Sequence, residues 1–316
     1  MNEQNVQIGK SGVLSTPLGL GTNAVGGNNL FPNLKDATGI ETVKTALDSG
    51  IKLLDTAFMY GMGHSEELIG EAIKGYDRGS FAIASKGAQE LVNGNITINN
   101  DPEFLKQCVE ASLERLHTTY LDIFYIHFPD DHTPKDQAIA ALNELKVEGK
   151  IKAIGVSNFS MDQLKAANKD GLVDVVEDQY SLIERKAETE LFPYLRDHDI
   201  SFVPYFPLAS GLLTGKYDDS SVTFADDDPR SKNPNFQGAK FAKIIAAVNQ
   251  IRPLAEKHNA SVAQLVLAWY IQNPDVAVVI PGAKHPEQVS DNAKAMNINL
   301  SDEEAKQIDD AFSDFK

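Results

Sequence analysis

Four polar residues that lie at or just after the ends of short apolar segments could do chemistry together. Asp55, Lys86 and His127 each end such a segment, and Tyr60 follows Asp55 in a glycine-containing loop. Short apolar runs bounded by turn residues and separated by helical patterns are typical of buried parallel strands. Because the carboxyl ends of parallel strands meet at one mouth of a barrel, we expect these four side chains to lie close together.

The types of these side chains suit acid catalysis of carbonyl reduction. Free tyrosine has a pKa of about 10, and the Lys86 ammonium, held by Asp55, is expected to lower the pKa of Tyr60. His127 could donate a hydrogen bond to the carbonyl oxygen. Since no side chain delivers hydride, this chemistry requires a nicotinamide cofactor. Taken singly, each residue also has an ordinary structural explanation, so the prediction depends on the four occurring together.

Eight strand-like segments alternate with helix-like ones and predict an α/β fold, an eight-stranded parallel (β/α)8 TIM barrel. The single domain is expected to span residues 1–316, with an N-terminal β-hairpin at residues 6–14 and a long loop, Thr214–Gln237, plus extra helices before the last strand. The expected strands are Leu18–Thr22, Leu53–Asp55, Phe81–Ser85, Ile123–His127, Ala153–Ser157, Val173–Glu177, Phe202–Tyr205 and Val276–Ile280. A doubly wound dinucleotide-binding sheet is the rival, but the glycines at residues 19–26 lack its G-x-G-x-x-G spacing.

Composition excludes several classes of function. The chain has 316 residues, 42% of them hydrophobic, and a formal net charge of −16. This acidity argues against binding to nucleic acid or to anionic membranes. The one cysteine, Cys108, cannot form an internal disulfide and is expected to be a buried structural thiol. With no signal-like N-terminus or membrane-length apolar run, a cytoplasmic location is expected, and no metal site is predicted.

The residues around Asp55, Tyr60, Lys86 and His127, together called the tetrad, resemble a known family. The segment Leu53-Leu-Asp-Thr-Ala-Phe-Met-Tyr-Gly-Met-Gly-His-Ser-Glu-Glu-Leu-Ile-Gly70 is similar to the aldo-keto reductase signature. Ile83-Ala-Ser-Lys86 and Tyr125-Ile-His127 supply the other two members of the tetrad, and the resemblance runs from about Leu18 to Asn292. It implies an eight-stranded β/α barrel that binds NAD(P)H across its mouth, with Tyr60 as the proton donor.

The same resemblance implies the cofactor contacts. Ser157, Asn158 and Gln179 correspond to carboxamide contacts, Tyr205 to the ring stacked on nicotinamide, Leu208–Lys216 to the pyrophosphate loop and Ile280–Asn292 to the adenosine end. The residues expected to bind the cofactor are Gly21, Thr22, Asp55, Ser157, Asn158, Gln179, Tyr205, Leu208, Ser210, Gly211, Leu213, Gly215, Lys216, Gly282, Lys284, Gln288 and Asn292.

The adenosine end departs from the family pattern. Many members have Lys-Ser where Gly282 and Ala283 stand, and Arg where Gln288 stands. Because Lys284 and His285 offer replacement positive charge, NADPH is the expected cofactor, and NADH remains possible. The alternative is that Lys284 is a solvated loop lysine.

Substrate contacts are less well specified. Asn23, Phe58 and Phe128 are the candidates for the substrate pocket. Asp130 to His132 could contact a polar substrate, although a solvated loop is the simpler explanation. The expected substrate is a small-molecule carbonyl compound or a sugar.

Two other functions fit parts of this pattern. One is a non-catalytic, nicotinamide-binding regulatory partner that resembles potassium-channel beta subunits; the other is a cofactor-independent barrel enzyme such as an isomerase. The sequence leaves open the reaction direction, the oligomeric state and the role of the long loop.

Overall fold

Parallel strands form the centre of the molecule. The computed structural model describes residues 5–218, 222–225 and 228–316. In chain order its strands are β1 (Val6–Ile8), β2 (Val13–Ser15), β3 (Leu20–Gly21), β4 (Leu53–Asp55), β5 (Ala82–Gly87), β6 (Gln89–Val92), β7 (Asn95–Ile98), β8 (Leu121–Ile126), β9 (Ile151–Ser157), β10 (Val175–Gln179) and β11 (Ser201–Tyr205). Seven of them form one parallel sheet in the order β11-β10-β9-β8-β5-β4-β3, while β1–β2 and β6–β7 are separate antiparallel hairpins.

Helices connect and surround the parallel strands. They are α1 (Asn23–Gly26), α2 (Asp36–Asp48), α3 (His64–Ala72), α4 (Pro102–Arg115), α5 (Lys135–Val147), α6 (Met161–Ala167), α7 (Leu191–Asp197), α8 (Gly238–Lys257), α9 (Val262–Gln272), α10 (Pro286–Ala293) and α11 (Asp302–Ala311). Short 3-10 segments lie at Arg78–Ser80, Lys186–Glu188, Ala209–Thr214, Pro229–Lys232, Pro234–Phe236, Lys294–Asn297 and Ser313–Phe315. Within the described ranges, no helix combines the length and apolar character needed to cross a membrane.

The segment around residues 276–282 closes the barrel between β3 and β11. Single parallel bridges join Leu18 to Val279 and Gly21 to Gly282, and the Ala277 amide donates to the Phe202 carbonyl at 2.9 Å. The predicted (β/α)8 barrel is therefore confirmed. The predicted last strand, Val276–Ile280, is held by isolated bridges instead of a continuous ladder. Pro17 and Pro281 contribute only carbonyl groups there, to the Val279 and Gly21 amides, because proline lacks an N–H.

Alternation along the strands separates an apolar interior from a polar mouth. Successive side chains of a strand point to opposite faces, and Leu53, Ala84 and Val175 belong to one buried cluster inside the barrel. The next residues of the same parity, towards the carboxyl ends, are polar: Asp55, Lys86, His127, Ser157, Glu177 and Tyr205. The predicted N-terminal hairpin is confirmed, and Ile8 and Val13 join the interior cluster. The hairpin thus closes the end of the barrel opposite the mouth.

Some elements differ from the sequence prediction. The hairpin β6–β7 and the helices α10 and α11 were not predicted, and β10 begins and ends two residues later than the expected strand Val173–Glu177. The expected loop Thr214–Gln237 contains the two 3-10 segments at Pro229–Lys232 and Pro234–Phe236, where proline is favoured at the first position of a helical turn. Residues 219–221, 226 and 227 of that loop, and residues 1–4, lie outside the described residues.

Candidate active site

A buried ion pair lies at the centre of the mouth. The Lys86 Nζ, which is 0% exposed, donates to both carboxylate oxygens of Asp55 at 2.7 Å and to the Thr56 carbonyl at 3.1 Å. Burial alone would lower the pKa of Lys86, but Asp55 and nearby Glu177 outweigh burial, and the pKa of Lys86 is raised. Lys86 therefore carries a fixed positive charge. All three of its protons are used in hydrogen bonds.

Glu177 brings a second carboxyl group to this lysine. Its Oε2 lies 3.3 Å from the Lys86 Nζ but has no hydrogen-bond partner within the described residues. Burial and the neighbouring Asp55 raise the pKa of Glu177 well above its usual value. Burial also raises the pKa of Asp55, although Lys86 opposes that rise. Two buried carboxyls that share one cation cannot both ionise cheaply, and the rise in pKa is the larger for Glu177, because Asp55 is the carboxyl that accepts both hydrogen bonds from Lys86.

Tyr60 lies beside Lys86 on the loop after β4. The Lys86 Nζ is 5.5 Å from the centroid of the Tyr60 ring, and the Tyr60 and His127 rings meet edge to face with centroids 6.4 Å apart. Burial raises the pKa of Tyr60, and the attraction of Lys86 only partly offsets this effect. The expectation that the pKa of Tyr60 falls below its usual value is therefore wrong, because desolvation of the hydroxyl exceeds the effect of the ammonium. The phenol is protonated at neutral pH.

His127 is enclosed just after β8. Its ring stacks on Phe128 with centroids 4.8 Å apart, and its Nδ1 is 3.0 Å from the Nε2 of Gln89. Burial, together with the charge of Lys86, lowers the pKa of His127 to about 3. His127 is consequently neutral at physiological pH and has a single ring proton to donate.

The polar groups expected at the carboxamide end form one network beside His127. The Asn158 Nδ2 donates to the His127 carbonyl at 3.1 Å and to the Ser157 Oγ at 2.9 Å. The Tyr205 hydroxyl donates to the Asn158 Oδ1 at 2.8 Å. Gln179 pairs with Tyr205 across β10 and β11, and its side chain is exposed at the strand end.

The segment after β11 has the features of an anion-binding loop. Three residues there, Phe206, Ala209 and Ser210, have positive φ angles of 54°, 46° and 56°. Residues other than glycine rarely adopt such angles. Gly211 has φ 95°, and a Cβ there would come within 2.7 Å of the Lys216 Nζ. Bare backbone next to an ammonium suits a phosphate group. Two other expected contacts, Leu208 and Leu213, are partly or fully buried and support the loop.

At the adenosine end, most of the expected residues are engaged in local contacts. The Gln288 Oε1 accepts from the Lys284 backbone amide at 2.7 Å, and the Lys284 ammonium lies 4.6 Å from the Phe31 ring centroid. Gly282 faces Asn23, whose Oδ1 would be 3.0 Å from an added Cβ. Asn292 is half-buried on α10, and the Gly215 carbonyl accepts a hydrogen bond from the Arg252 guanidinium at 2.6 Å.

Next to Gly282, to which Gly21 is bridged, Gly21 and Thr22 are buried. The Thr22 hydroxyl donates to the Asp55 carbonyl at 2.8 Å, so it holds the end of β4 instead of facing open space. Of the substrate candidates, Phe128 is 37% exposed beside His127, whereas the Phe58 ring is covered by the Arg115 guanidinium at 5.2 Å. Phe128 is thus the better placed of the two.

The sequence favoured a solvated loop at Asp130, but the structure buries this residue. It is 5% exposed, accepts from the Asn100 amide at 2.8 Å and binds the Lys135 Nζ at 2.7 Å. Although burial opposes the change, these hydrogen bonds lower the pKa of Asp130. Its role is to anchor the loop before α5. Cys108 is half-buried, and burial raises its pKa to about 11, which fits the expected structural thiol.

The family model described as the aldo/keto reductase family matches residues 17–312, nearly the whole chain. The chain belongs to this family. An aldo/keto reductase with this arrangement of Tyr60, Lys86, Asp55 and His127 has its polar groups gathered at the carboxyl ends of the strands, where barrel enzymes place their active sites.

Relatives of this aldo/keto reductase differ in their described functions. The chain is 34% identical to an NADH-specific methylglyoxal reductase of Escherichia coli, over 96% of each protein. It is 32% identical to a probable voltage-gated potassium channel subunit beta of Arabidopsis thaliana, over 93% of this chain and 92% of that one. Among solved structures, a glycerol dehydrogenase from Gluconobacter oxydans superposes with a TM-score of 0.91 at 35% identity, covering 100% and 97% of the two chains.

Two residues at the mouth of this aldo/keto reductase had no predicted role. Glu177 lies at the end of the predicted strand Val173–Glu177, and a charged residue inside a buried strand is rare enough to signal function. Gln89 lies in the unpredicted hairpin, and its sequence context gives no comparable signal. Its contact with His127 depends on how the chain turns after β5.

Proposed function

We propose that this protein is an NAD(P)H-dependent oxidoreductase that reduces an aldehyde or ketone group of a small molecule or sugar to the alcohol. The observation that carries the proposal is the convergence of a protonated tyrosine, a buried lysine–aspartate pair and a neutral histidine at one barrel mouth. The same groups would catalyse the reverse oxidation, because an acid for one direction is a base for the other.

In the proposed reaction Tyr60 gives its hydroxyl proton to the carbonyl oxygen as that oxygen gains negative charge. The resulting phenolate would be stabilised by Lys86, whose own charge is held by two hydrogen bonds to Asp55. Because Lys86 already makes three hydrogen bonds, it acts mainly through its field. A positioned acid of this kind typically contributes a rate factor of about 10² to 10⁴.

His127 orients the substrate in this scheme. A neutral imidazole with one N–H can donate to a carbonyl oxygen, and the bond strengthens as charge develops on the oxygen. Its low pKa prevents His127 from becoming the general acid near neutral pH. The proton is therefore assigned to Tyr60.

The mouth fits a nicotinamide dinucleotide, which when bound supplies the hydride. Asn158 uses both amide protons within the protein, so its Oδ1, which accepts from Tyr205, has a further lone pair for a carboxamide N–H. Gly211 and Lys216 would hold the pyrophosphate. Lys284 is the cation at the adenosine end, so NADPH is the cofactor in this proposal and NADH is its competitor, as the NADH-specific relative illustrates.

A regulatory role without catalysis is the second candidate, and similarity to a potassium-channel subunit favours it. Such a role would not require a buried lysine neutralised by Asp55 beneath a protonated tyrosine. These groups cost folding free energy, since burying charges is unfavourable unless they are well paired. Their presence supports an enzyme.

The experiment titrates NADPH and NADH separately by fluorescence and then screens aldehydes, ketones and sugars with the tighter cofactor. Tyr60→Phe should lower kcat by about 10² to 10⁴ while leaving cofactor affinity within a few-fold. Tyr76→Phe, which removes an exposed hydroxyl bonded to Asp48, is the matched control and should keep full turnover. Near-normal turnover of Tyr60→Phe would exclude the proposed mechanism. Cofactor binding without turnover across the panel would favour the regulatory role.

A further inference from the structure

Gln89 makes the one side-chain hydrogen bond to the His127 ring among the described residues. It is the first residue of the hairpin strand β6, it is 4% exposed, and its Nε2 lies 3.0 Å from the His127 Nδ1. Ala88, which joins β5 to this hairpin, has φ 128°, an unusual backbone angle for a residue with a side chain. Strain of this kind persists only where the surrounding structure enforces it, and it is common at functional sites.

The chemistry of this contact determines which ring nitrogen carries a proton. The NH2 end of the Gln89 amide faces the His127 Nδ1, and because an NH2 group can only donate, Nδ1 accepts in this arrangement. A neutral imidazole whose Nδ1 accepts carries its proton on Nε2. We propose that Gln89 is a positioning residue that holds His127 in the Nε2–H tautomer and so presents a hydrogen-bond donor to the substrate carbonyl.

The other neighbours of the ring cannot do this. Phe128 stacks on the face of the imidazole and Tyr60 meets it edge to face, so both limit its orientation without selecting a tautomer. Because burial keeps His127 neutral, it has only one N–H, and the tautomer decides whether that N–H or a lone pair meets the carbonyl oxygen. The contribution of His127 therefore depends on Gln89.

The reversed orientation of the Gln89 amide would favour the other tautomer of His127. The Gln89 Oε1 has no hydrogen-bond partner within the described residues, so no second contact of the amide fixes which of its ends faces the ring. With the amide reversed, Oε1 would accept from Nδ1–H, and His127 would present a bare Nε2 to the substrate. The two tautomers are distinguishable by nitrogen NMR.

The decisive measurement uses protein labelled with 15N-histidine, with the His127 signals assigned by their loss in His127→Asn. At pH 8 the wild type should show a protonated Nε2 and an unprotonated Nδ1. Gln89→Glu offers only acceptor oxygens, so its His127 should carry a proton on Nδ1. Glu90→Gln, on the same strand with its carboxylate bonded to Asn99, is the control and should match the wild type. A wild-type ring protonated on Nδ1 would overturn the proposal.

Kinetics supply a second readout, which rests on the proposed carbonyl reduction. Loss of one oxyanion-type donor lowers kcat by about 10² to 10³, so at pH 8 Gln89→Glu should lower kcat by about 10² with little change in KM. Gln89→Leu, which leaves both tautomers accessible, should have a smaller effect. If the wild type reduces no carbonyl compound, the proposed function fails while the NMR result still stands. If the tautomer is as proposed but Gln89→Glu turns over normally, the positioning role is refuted.

Discussion

Replacing His127 with asparagine should remove much of the acid sensitivity that originates at the barrel mouth. The folded protein holds the pKa of His127 at about 3, whereas an unfolded chain has a histidine pKa of about 6.5. Between these values the unfolded state binds a proton that the folded state does not. With respect to this histidine, the unfolding free energy is therefore highest above about pH 6.5 and falls as the pH drops towards 3.

The size of this effect follows from the depth of burial. His127 is 8% exposed and has the buried cation Lys86 as a neighbour, so solvent cannot easily stabilise its charged form. Each pH unit inside the window costs about 1.4 kcal/mol. His127 alone should then remove about 2 kcal/mol between pH 7.5 and pH 5, and about 3 kcal/mol by pH 4. Against a typical total of about 5 to 15 kcal/mol, this loss is measurable.

Urea unfolding at pH 7.5, 6 and 5 measures this pH-dependent loss of stability. His127→Asn should lose about 2 kcal/mol less than the wild type over this range, whatever its stability at pH 7.5. His117→Asn is the control because His117 is exposed, just after α4, at a positive φ of 51° that asparagine tolerates. It should follow the wild-type curve. An equal loss of stability in His127→Asn and the wild type would refute the claim that His127 is buried neutral.

Two further predictions concern buried residues near the tetrad. Because burial and Asp55 raise the pKa of Glu177 in the folded state, the folded protein binds protons more strongly there than the unfolded chain does, and the unfolding free energy falls as the pH rises from about 4.5 towards neutrality. Glu177→Gln should therefore gain stability relative to the wild type between pH 4.5 and 7.5 in urea unfolding, and parallel curves would contradict this. Gly155→Ala should cost about 1 to 3 kcal/mol, because its Cβ would lie 2.2 Å from a Tyr125 ring carbon. Tyr125→Leu should recover part of that loss in the double variant, and strict additivity would show that the two sites do not touch.

The tetrad was predictable because strand ends and residue parity are visible in the sequence. Asp55, Lys86 and His127 each follow an apolar run of strand length, and the parallel barrel brings such positions to one mouth. Their chemistry was less predictable. The effect of Lys86 on Tyr60 depends on how far the hydroxyl is desolvated, and burial in three dimensions decided the direction of that pKa shift.

Depth within the barrel explains the other differences. Glu177 and Gln179 have the same parity on β10, and the sequence gives no measure of which one lies at the level of Lys86. That level is set by the stagger between neighbouring strands. Gln89 was missed for a related reason, because a positive φ at Ala88 redirects the chain after β5 in a way that residue types do not reveal. The backbone conformation of a strained turn is determined by the surrounding tertiary structure more than by the preferences of its own residues.

The bridges from Leu18 to Val279 and from Gly21 to Gly282 have a consequence for how the chain folds. They join the first barrel strand to residues 279 and 282, so closure must wait until the chain has been synthesised beyond that segment. Until then β3 and β11 are open sheet edges, which can pair with other chains. Closing so long a loop also costs entropy before its contacts form. Assembly of the last strand, remote from Tyr60 in sequence, should therefore be the slow, aggregation-sensitive step in making a working mouth.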